Sequence, residues 1–516
     1  MMASGSDDRR AWWADPRYAI LLVVLMAVPL WYPAIPPLTD LPGHMARYHI
    51  ALERGGASGL KRWFDFRWGL MGNLGVDLLV MPLTRVWGVE IATKIVVMAI
   101  PMVTAAGLLL VAREVHGRLP PTAAFALPLA YGFPFQFGFV NYCLAMGLAL
   151  CAFALWLRMG RGRGGWRAAI FVVFGLVIWF VHIFGWAVLG LMIAGAAFAA
   201  SYADGGSLGR SACRSIIATI PLMPPAILML MWRSGAVAGD TGDWFNWSAK
   251  LGWMIAVLRE RWGLLDRVSA ALLLFVVLTM GVRRKAGMVP TLAGAAVLLL
   301  AAYVVLPRIL IGSAYADMRL APYVLAVALI AIRPPQRHAG LLAGAALAFL
   351  LVRLTASTLA FAAIERGYDR QLAALDHLPR GARVFALVGT ECQSDWAGNR
   401  MEHLPSMAVV GRDAFANDQW ALPGAQLLSV RFPAAPRFTT DPGQIVRPAG
   451  CEAIGEAQWS NAIRDFPRDA FDYLWLIDVP GAARPRDAGL RSIWHGPTGA
   501  LYRIARSDDA KRASGP

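Results

Sequence analysis

Charge is scarce in this 516-residue chain: 16% of its residues are Asp, Glu, Lys or Arg, against roughly 25% in soluble domains. An ordinary soluble protein is therefore excluded for most of the length. Acids are scarcer than bases, 33 against 49, leaving a formal charge of +16. The arginines sit at the ends of apolar runs and form no basic stripe with interleaved aromatics, so a nucleic-acid partner is excluded as well. Five cysteines offer no zinc-like spacing. In the C-terminal region, nucleophile elbow, phosphate loop and metal motif are all lacking.

What the chain has in quantity is apolar residues, 57% of the total. A hydrocarbon core about 30 Å thick needs roughly 20 helical residues to cross it. Eleven runs qualify as candidates: 18–35, 91–111, 122–135, 142–157, 168–181, 184–202, 215–232, 268–282, 289–306, 320–332 and 341–363. The expected fold class is thus a polytopic α-helical membrane protein of about eleven transmembrane helices. Leu74 to Trp87 is also apolar but carries Asp77, Pro82 and Arg85, and is expected to lie as a helix on the membrane surface. With that placement every arginine-rich short loop, from Arg9-Arg10 to Arg333 and Arg337, falls on the N-terminal side. The positive-inside rule makes that side cytoplasmic. The expected location is the inner (plasma) membrane of a bacterium, with the C-terminal region in the periplasm.

Charged residues become frequent after about residue 365, which divides the chain into a membrane domain, 1–364, and a small α/β domain, 365–516. The membrane domain includes a first outer loop, 36–73, and the surface helix 74–87. In the C-terminal domain, 383–388 and 473–477 have strand length, and 493–504 reads as strand, Gly-Pro-Thr-Gly turn, strand. Cys392 and Cys451 are its only cysteines and face an oxidising compartment; a disulfide and two buried thiols both fit.

Candidate functional residues lie in the outward loops. Asp40 directly follows the first membrane helix, at a depth where a carboxylate is partly desolvated and proton uptake is favoured, as a general base requires. His44 and Arg47 share its face if the segment from Leu41 is helical. An N-cap aspartate ahead of an interface helix accounts equally for the same residues. Asp317 and Arg319 stand at the outer mouth of a later helix; Arg319 suits a phosphate and Asp317 suits orienting it or binding an acceptor, while a helix cap and a snorkelling arginine are the structural alternative. Asn141 and His182 occupy two short outer turns and Lys250 a longer loop, all three expected to line the substrate cavity or to serve the fold locally.

An aspartate soon after an apolar first helix, a long outer loop, the stretch Leu74 to Trp87, then Gly88-Val89-Glu90, Ala92 and Lys94 before another long helix resembles the GT-C glycosyltransferases, membrane enzymes that use sugars carried on polyprenyl phosphate. The resemblance spans roughly residues 15 to 365. It implies that Asp40 is the loop carboxylate serving as catalytic base or metal ligand, and that Trp87-Gly88-Val89-Glu90 matches the family's Phe-Gly-Val-Glu element, with Lys94 in place of an arginine. Leu41 stands where better-known branches carry a second acid, so no cofactor is assigned and a divalent metal stays open.

On that reading the function is transfer of a sugar from a polyprenyl-phosphate carrier to an envelope acceptor, which is a glycan, lipid or protein. Asp40 would be the base and Arg47 or Arg319 the partner of the donor phosphate. A non-catalytic scaffold with a periplasmic binding domain and a transporter or flippase are the competing readings. No internal repeat is evident and the charges cluster at the outer face, which tells against the transporter.

Overall fold

The computed structural model describes residues 11–53, 59–160, 164–233, 240–282, 287–392, 396–421, 426–440, 442–451 and 456–505. Its contacts sort into two compact units: Met1–Tyr32, Leu70–Leu79 and Ile95–Ala360 form the first, and Pro33–Gly69, Val80–Lys94 and Phe361–Pro516 the second.

Hydrocarbon offers no partner to a backbone N–H or C=O, so apolar runs satisfy themselves as helices. Among the described residues five helices are long and apolar enough to cross a membrane: Gly75–His116, Val140–Met159, Ile183–Ala203, Gly263–Val282 and Gln336–His377. Leu208–Leu222 and Pro224–Leu230, bent by 65°, make a sixth if taken as one span, and Pro16–Trp31, Gly165–Val181 and Pro290–Val305 are shorter apolar helices. The chain is a multi-pass membrane protein, but the eleven expected spans are not all present as such. The run at 122–135 is no α-helical span: Ala123–Tyr131 winds as a 3-10 helix containing Pro128, followed by the five-residue helix Phe133–Phe137. A proline inside the segment withholds an N–H from any α-helical ladder there. The run from 320 lies in Ala316–Ala331, a 16-residue helix buried almost throughout.

Leu74 to Trp87, expected as a separate surface helix, is helical from Gly75 and continues into the next helix across a break at Gly88 (φ 74°, ψ 174°). That backbone region is essentially reserved for glycine. The break interrupts the element Trp87-Gly88-Val89-Glu90 singled out above.

The second unit is built on a seven-stranded sheet. Its strands are β2 (Arg383–Gly389), β3 (Phe415–Ala416), β5 (Ile445–Arg447), β6 (Ala457–Gln458), β7 (Tyr473–Ile477), β8 (Leu490–His495) and β9 (Gly499–Ile504). Their order is β6-β5-β2-β7-β9-β8, with β3 beside β2. The strands up to β7 run parallel, and β9 joins β7 and β8 antiparallel. Central β2 reads Arg-Val-Phe-Ala-Leu-Val-Gly and is buried beyond its first residue, the continuous apolar run of a strand covered on both faces. Cys392 and Cys451 are joined by a disulfide with their Cα atoms 5.3 Å apart.

Residues 36–69 of the first outer loop group with this second unit and 70–73 with the first, whereas the domain division read from the sequence gave 36–73 to the membrane part. Strand β1 (Phe64–Phe66) pairs antiparallel with β4 (Leu428–Val430). Ala46, Ile50, Leu60, Trp63 and Phe64 share one apolar core with Phe385, Val409, Phe415 and Phe432. Phe415 stacks on Phe432 at 4.0 Å between centroids and lies 5.8 Å from Phe64. Removing these side chains from water is the main favourable term that holds the loop there.

Candidate functional site

Asp40 occupies the N-cap position of helix Leu41–Leu52, yet its side chain makes no capping hydrogen bond to that helix. The carboxylate is half-buried. The segment leading to it is tied down twice. Glu365 accepts the backbone N–H of Ala34 at 2.7 Å and attracts Lys94 electrostatically. Arg400 Nη1 donates to the carbonyl of Pro37 at 3.2 Å, while the carbonyl of Arg400 accepts from the Tyr368 hydroxyl at 2.7 Å. A carboxylate on a backbone fixed at two points loses little entropy in holding a productive position.

Behind Asp40 the helix turns His44 and Arg47 to the same side, one and two turns on, with Arg47 about 10 Å further along the axis. Arg47 is buried, and its guanidinium lies 5.4 Å from the Tyr48 ring centroid. His44 lies between Tyr48, 6.4 Å away, and Trp420, 5.6 Å away. Gly43 is needed at this crossing because a Cβ there would strike the Trp420 ring.

Trp420 in turn packs on His403, with the ring centroids 4.2 Å apart and the planes tilted by 45°. His403 Nδ1 lies 3.1 Å from the carbonyl of Asp418 and donates to it, and Asp418 Oδ2 accepts from Ser406 N at 2.8 Å and Ser406 Oγ at 2.6 Å. Burial pushes the Asp418 carboxyl up to about 7, against the opposing pull of the Ser406 hydrogen bonds. Burial holds the His403 imidazole down at about 4, so it is neutral at pH 7.

The remaining site candidates belong to the first unit, and most are occupied locally. Asn141, expected in the cavity, accepts from Val76 N at 2.5 Å and donates to the carbonyl of Asn73 and to Asp77 Oδ2 at 2.9 and 3.0 Å. It clamps the start of helix Gly75–His116. Asp317, expected beside Arg319, instead meets Lys250 at 3.3 Å, and the lysine also donates to the carbonyls of Tyr303 and Leu306 at 2.9 and 2.7 Å. Both side chains are fully enclosed, which makes this a structural pair and removes Lys250 and Asp317 from any open cavity. His182 caps helix Ile183–Ala203 by accepting from Phe184 N at 3.1 Å.

Arg319 donates through Nη2 to Ser313 Oγ at 3.0 Å and to the carbonyl of Ala314 at 3.2 Å. Its guanidinium lies 4.1 Å from the Phe139 ring centroid and 5.8 Å from that of Phe184. The short turns carrying Asn141 and His182 thus supply aromatics to Arg319.

A buried polar network in the first unit was not anticipated from the sequence. Arg353 Nη1 reaches Asp266 Oδ1 at 2.6 Å, and Nη2 lies 3.8 Å from Glu260 Oε2. Glu260 accepts from Gln136 and Ser357, and Asp266 Oδ2 from Glu260 N. An arginine in the middle of the apolar run 341–363 was the available signal, since ionisable groups inside spans mark sites by default. Here every carboxylate oxygen has a partner, so the cluster closes on itself. Among the described residues no group of three His, Cys, Asp or Glu side chains is placed to hold a metal ion.

No family model matches the sequence, and no curated protein matches it. Two solved structures are similar over nearly the full length. One is the crystal structure of ArnT from Cupriavidus metallidurans bound to undecaprenyl phosphate, 12% identical with a TM-score of 0.47, covering 97% of this chain and 98% of that one. The other is ArnT from Cupriavidus metallidurans in the apo state, 11% identical with a TM-score of 0.46, covering 94% of this chain and 97% of that one.

Proposed function

We propose that this chain is a GT-C-like glycosyltransferase of the bacterial inner membrane, moving a sugar from a polyprenyl-phosphate carrier to an envelope acceptor on the periplasmic face. The observation that carries the reading is Asp40: a half-buried carboxylate at a helix N-terminus that it does not cap, on a segment anchored by Glu365 and Arg400. An acid whose only task was to cap would bond to the N–H groups of the first turn.

In the proposed step the acceptor hydroxyl gives its proton to the Asp40 carboxylate as its oxygen bonds to the sugar's anomeric carbon. The bond from that carbon to the phosphate oxygen breaks, and polyprenyl phosphate leaves with its electron pair. A single displacement of this kind inverts the anomeric centre. Arg47 is our first candidate for stabilising the charge on the departing phosphate. Arg319 is the second; its aromatic surroundings hold a planar guanidinium as they would not hold an ammonium group.

The test is direct. The purified full-length protein is incubated with a polyprenyl-phosphate sugar and a panel of glycan, lipid and protein acceptors from the envelope. Release of polyprenyl phosphate that depends on acceptor, with an inverted anomeric product, is expected. Absence of turnover with every acceptor, from protein that is folded and monodisperse, would overturn the reading.

A further inference from the structure

In the sheet of the second unit the parallel strands β2 and β7 are neighbours, with Val384–Val388 paired to Tyr473–Ile477. The chain leaving β2 goes on to β5 on one side, whereas the chain leaving β7 goes on to β8 and β9 on the other. Where two such connections part, a crevice opens beyond the carboxyl ends of the strands, and ligands of open α/β sheets bind there.

The residues at that point are polar and held in place. Asp478, the first residue past β7, is half-buried and takes a left-handed backbone (φ 51°), a conformation that non-glycine residues adopt at a cost and that concentrates at ligand sites. Gln371 Nε2, in the last turn of helix Ala339–Leu372, donates to Asp478 Oδ1 at 3.2 Å and to Thr498 Oγ1 at 2.9 Å. Gln371 is 2% exposed, and its Oε1 has no hydrogen-bond partner among the described residues; a buried acceptor left so calls for a donor. On the β2 side, Asn399 Nδ2 donates to Thr390 Oγ1 at 2.7 Å. A Cβ on Gly389 would strike the Asp478 carbonyl oxygen, and one on Gly499 the Gln371 side-chain oxygen, so both positions leave this edge clear.

The chemistry of these groups selects the ligand. Glu391 follows Thr390, and among the described residues no glycine-rich turn leads from β2 into a helix, so a phosphate finds neither cradle nor dipole. A carboxylate flanked by amides and hydroxyls instead matches neighbouring sugar hydroxyls, each of which donates and accepts at once. The connection out of β2 also carries Arg400, beside Asn399, and Arg400 donates to the carbonyl of Pro37, three residues before Asp40. Tyr368, one turn before Gln371, donates to the carbonyl of Arg400. We infer that this carboxyl edge binds a neutral glycan and is the acceptor subsite of the transferase. The acceptor role rests on the transferase reading; glycan binding does not.

Frontal affinity chromatography on the immobilised full-length protein reads binding without turnover. Neutral oligosaccharides released by mild acid from bacterial envelopes are the probe, with inorganic phosphate and a mixture of short peptides run for comparison. The oligosaccharides should be retarded and the other two should not. Asp478→Asn keeps an acceptor for Gln371 and a residue type that tolerates the left-handed backbone, but removes the charge. Its dissociation constant should rise about tenfold, the loss of one hydrogen bond to a charged group. Asn399→Ala should raise the constant about fivefold, the loss of a neutral one. Asp465→Asn, an equal loss of charge on helix Trp459–Asp465, should bind as the parent does. No retardation of oligosaccharide by the folded parent, retardation of phosphate or peptide instead, or unchanged constants in both variants would overturn the inference. Glycan binding that the variants weaken, in a parent that transfers no sugar, would leave the glycan site standing and refute the transferase reading; transfer with unchanged constants in the variants would do the reverse.

Discussion

Arg353 holds two carboxylates inside an apolar helix, and the consequence of losing it follows from what it leaves behind. Arg353→Leu would strand Glu260 and Asp266 without their cation, and breaking a buried pair from one side costs about 3 to 5 kcal/mol. The variant is expected to unfold at markedly lower temperature, measured by scanning fluorimetry, whereas a midpoint within a degree of the parent would show that the network carries no strength. In the second unit the buried Asp418 carries a pH signature. Its carboxyl is pushed up to about 7 in the folded chain from 3.8, so the folded state binds the proton more tightly. The stability this provides is present at low pH and is lost as pH rises from about 4 through 7. His403, held down at about 4 from 6.5, acts oppositely: its contribution is lost as pH falls from 6.5 through 4. Asp418→Asn retains an acceptor for Ser406 and cannot ionise, so it should remove roughly 2.5 kcal/mol of the pH dependence between pH 5 and 8. Parallel midpoint-against-pH curves for parent and variant would contradict this. At this scale Asp40 and Arg319 were readable as candidates because each sits at a helix start, and Arg47 because helical spacing puts it on the face of Asp40. The local duties of Asn141, Lys250 and Asp317 were not, because their partners Val76, Tyr303 and Leu306 come from other helices.

Among the elements, the break at Gly88 is the most exacting. With φ 74° and ψ 174°, a side chain there costs on the order of 1 to 3 kcal/mol, although a Cβ would meet nothing within 4 Å. Gly88→Ala is therefore expected to lower the unfolding midpoint through backbone strain alone; a variant as stable as the parent would mean that the two helical segments can fuse at no cost. The sheet was partly legible: the runs at 383–388, 473–477 and 493–504 appear as β2, β7 and the hairpin β8–β9. The pairing of β1 with β4 was not, because Phe64–Phe66 is three residues long and its partner lies 364 positions away. Periodicity has no reach across such a separation. Loss of the 122–135 span has a similar origin: composition reports apolar character, whereas Pro128 decides the winding.

For the whole molecule, membrane character was legible from composition alone, because apolar content exceeds what any soluble core requires. Sidedness rests on the arginine-rich loops, and an alkaline phosphatase fused after Pro516 is expected to be active while a cytoplasmic reporter there stays silent; the reverse pattern would invert the topology and place Asp40 on the wrong face for a periplasmic acceptor. That the outer loop folds into the C-terminal unit gives the latter a task that composition alone did not disclose: Arg400 and Glu365 hold the segment that bears the proposed base. The claim that Asp40 takes the acceptor's proton is tested most directly by measuring the transfer rate and donor binding of Asp40→Asn beside the parent protein. A general base contributes about 10² to 10⁴-fold, so the account predicts a rate lower by that factor with donor binding and folding unchanged. Transfer by Asp40→Asn at the parent rate would contradict it.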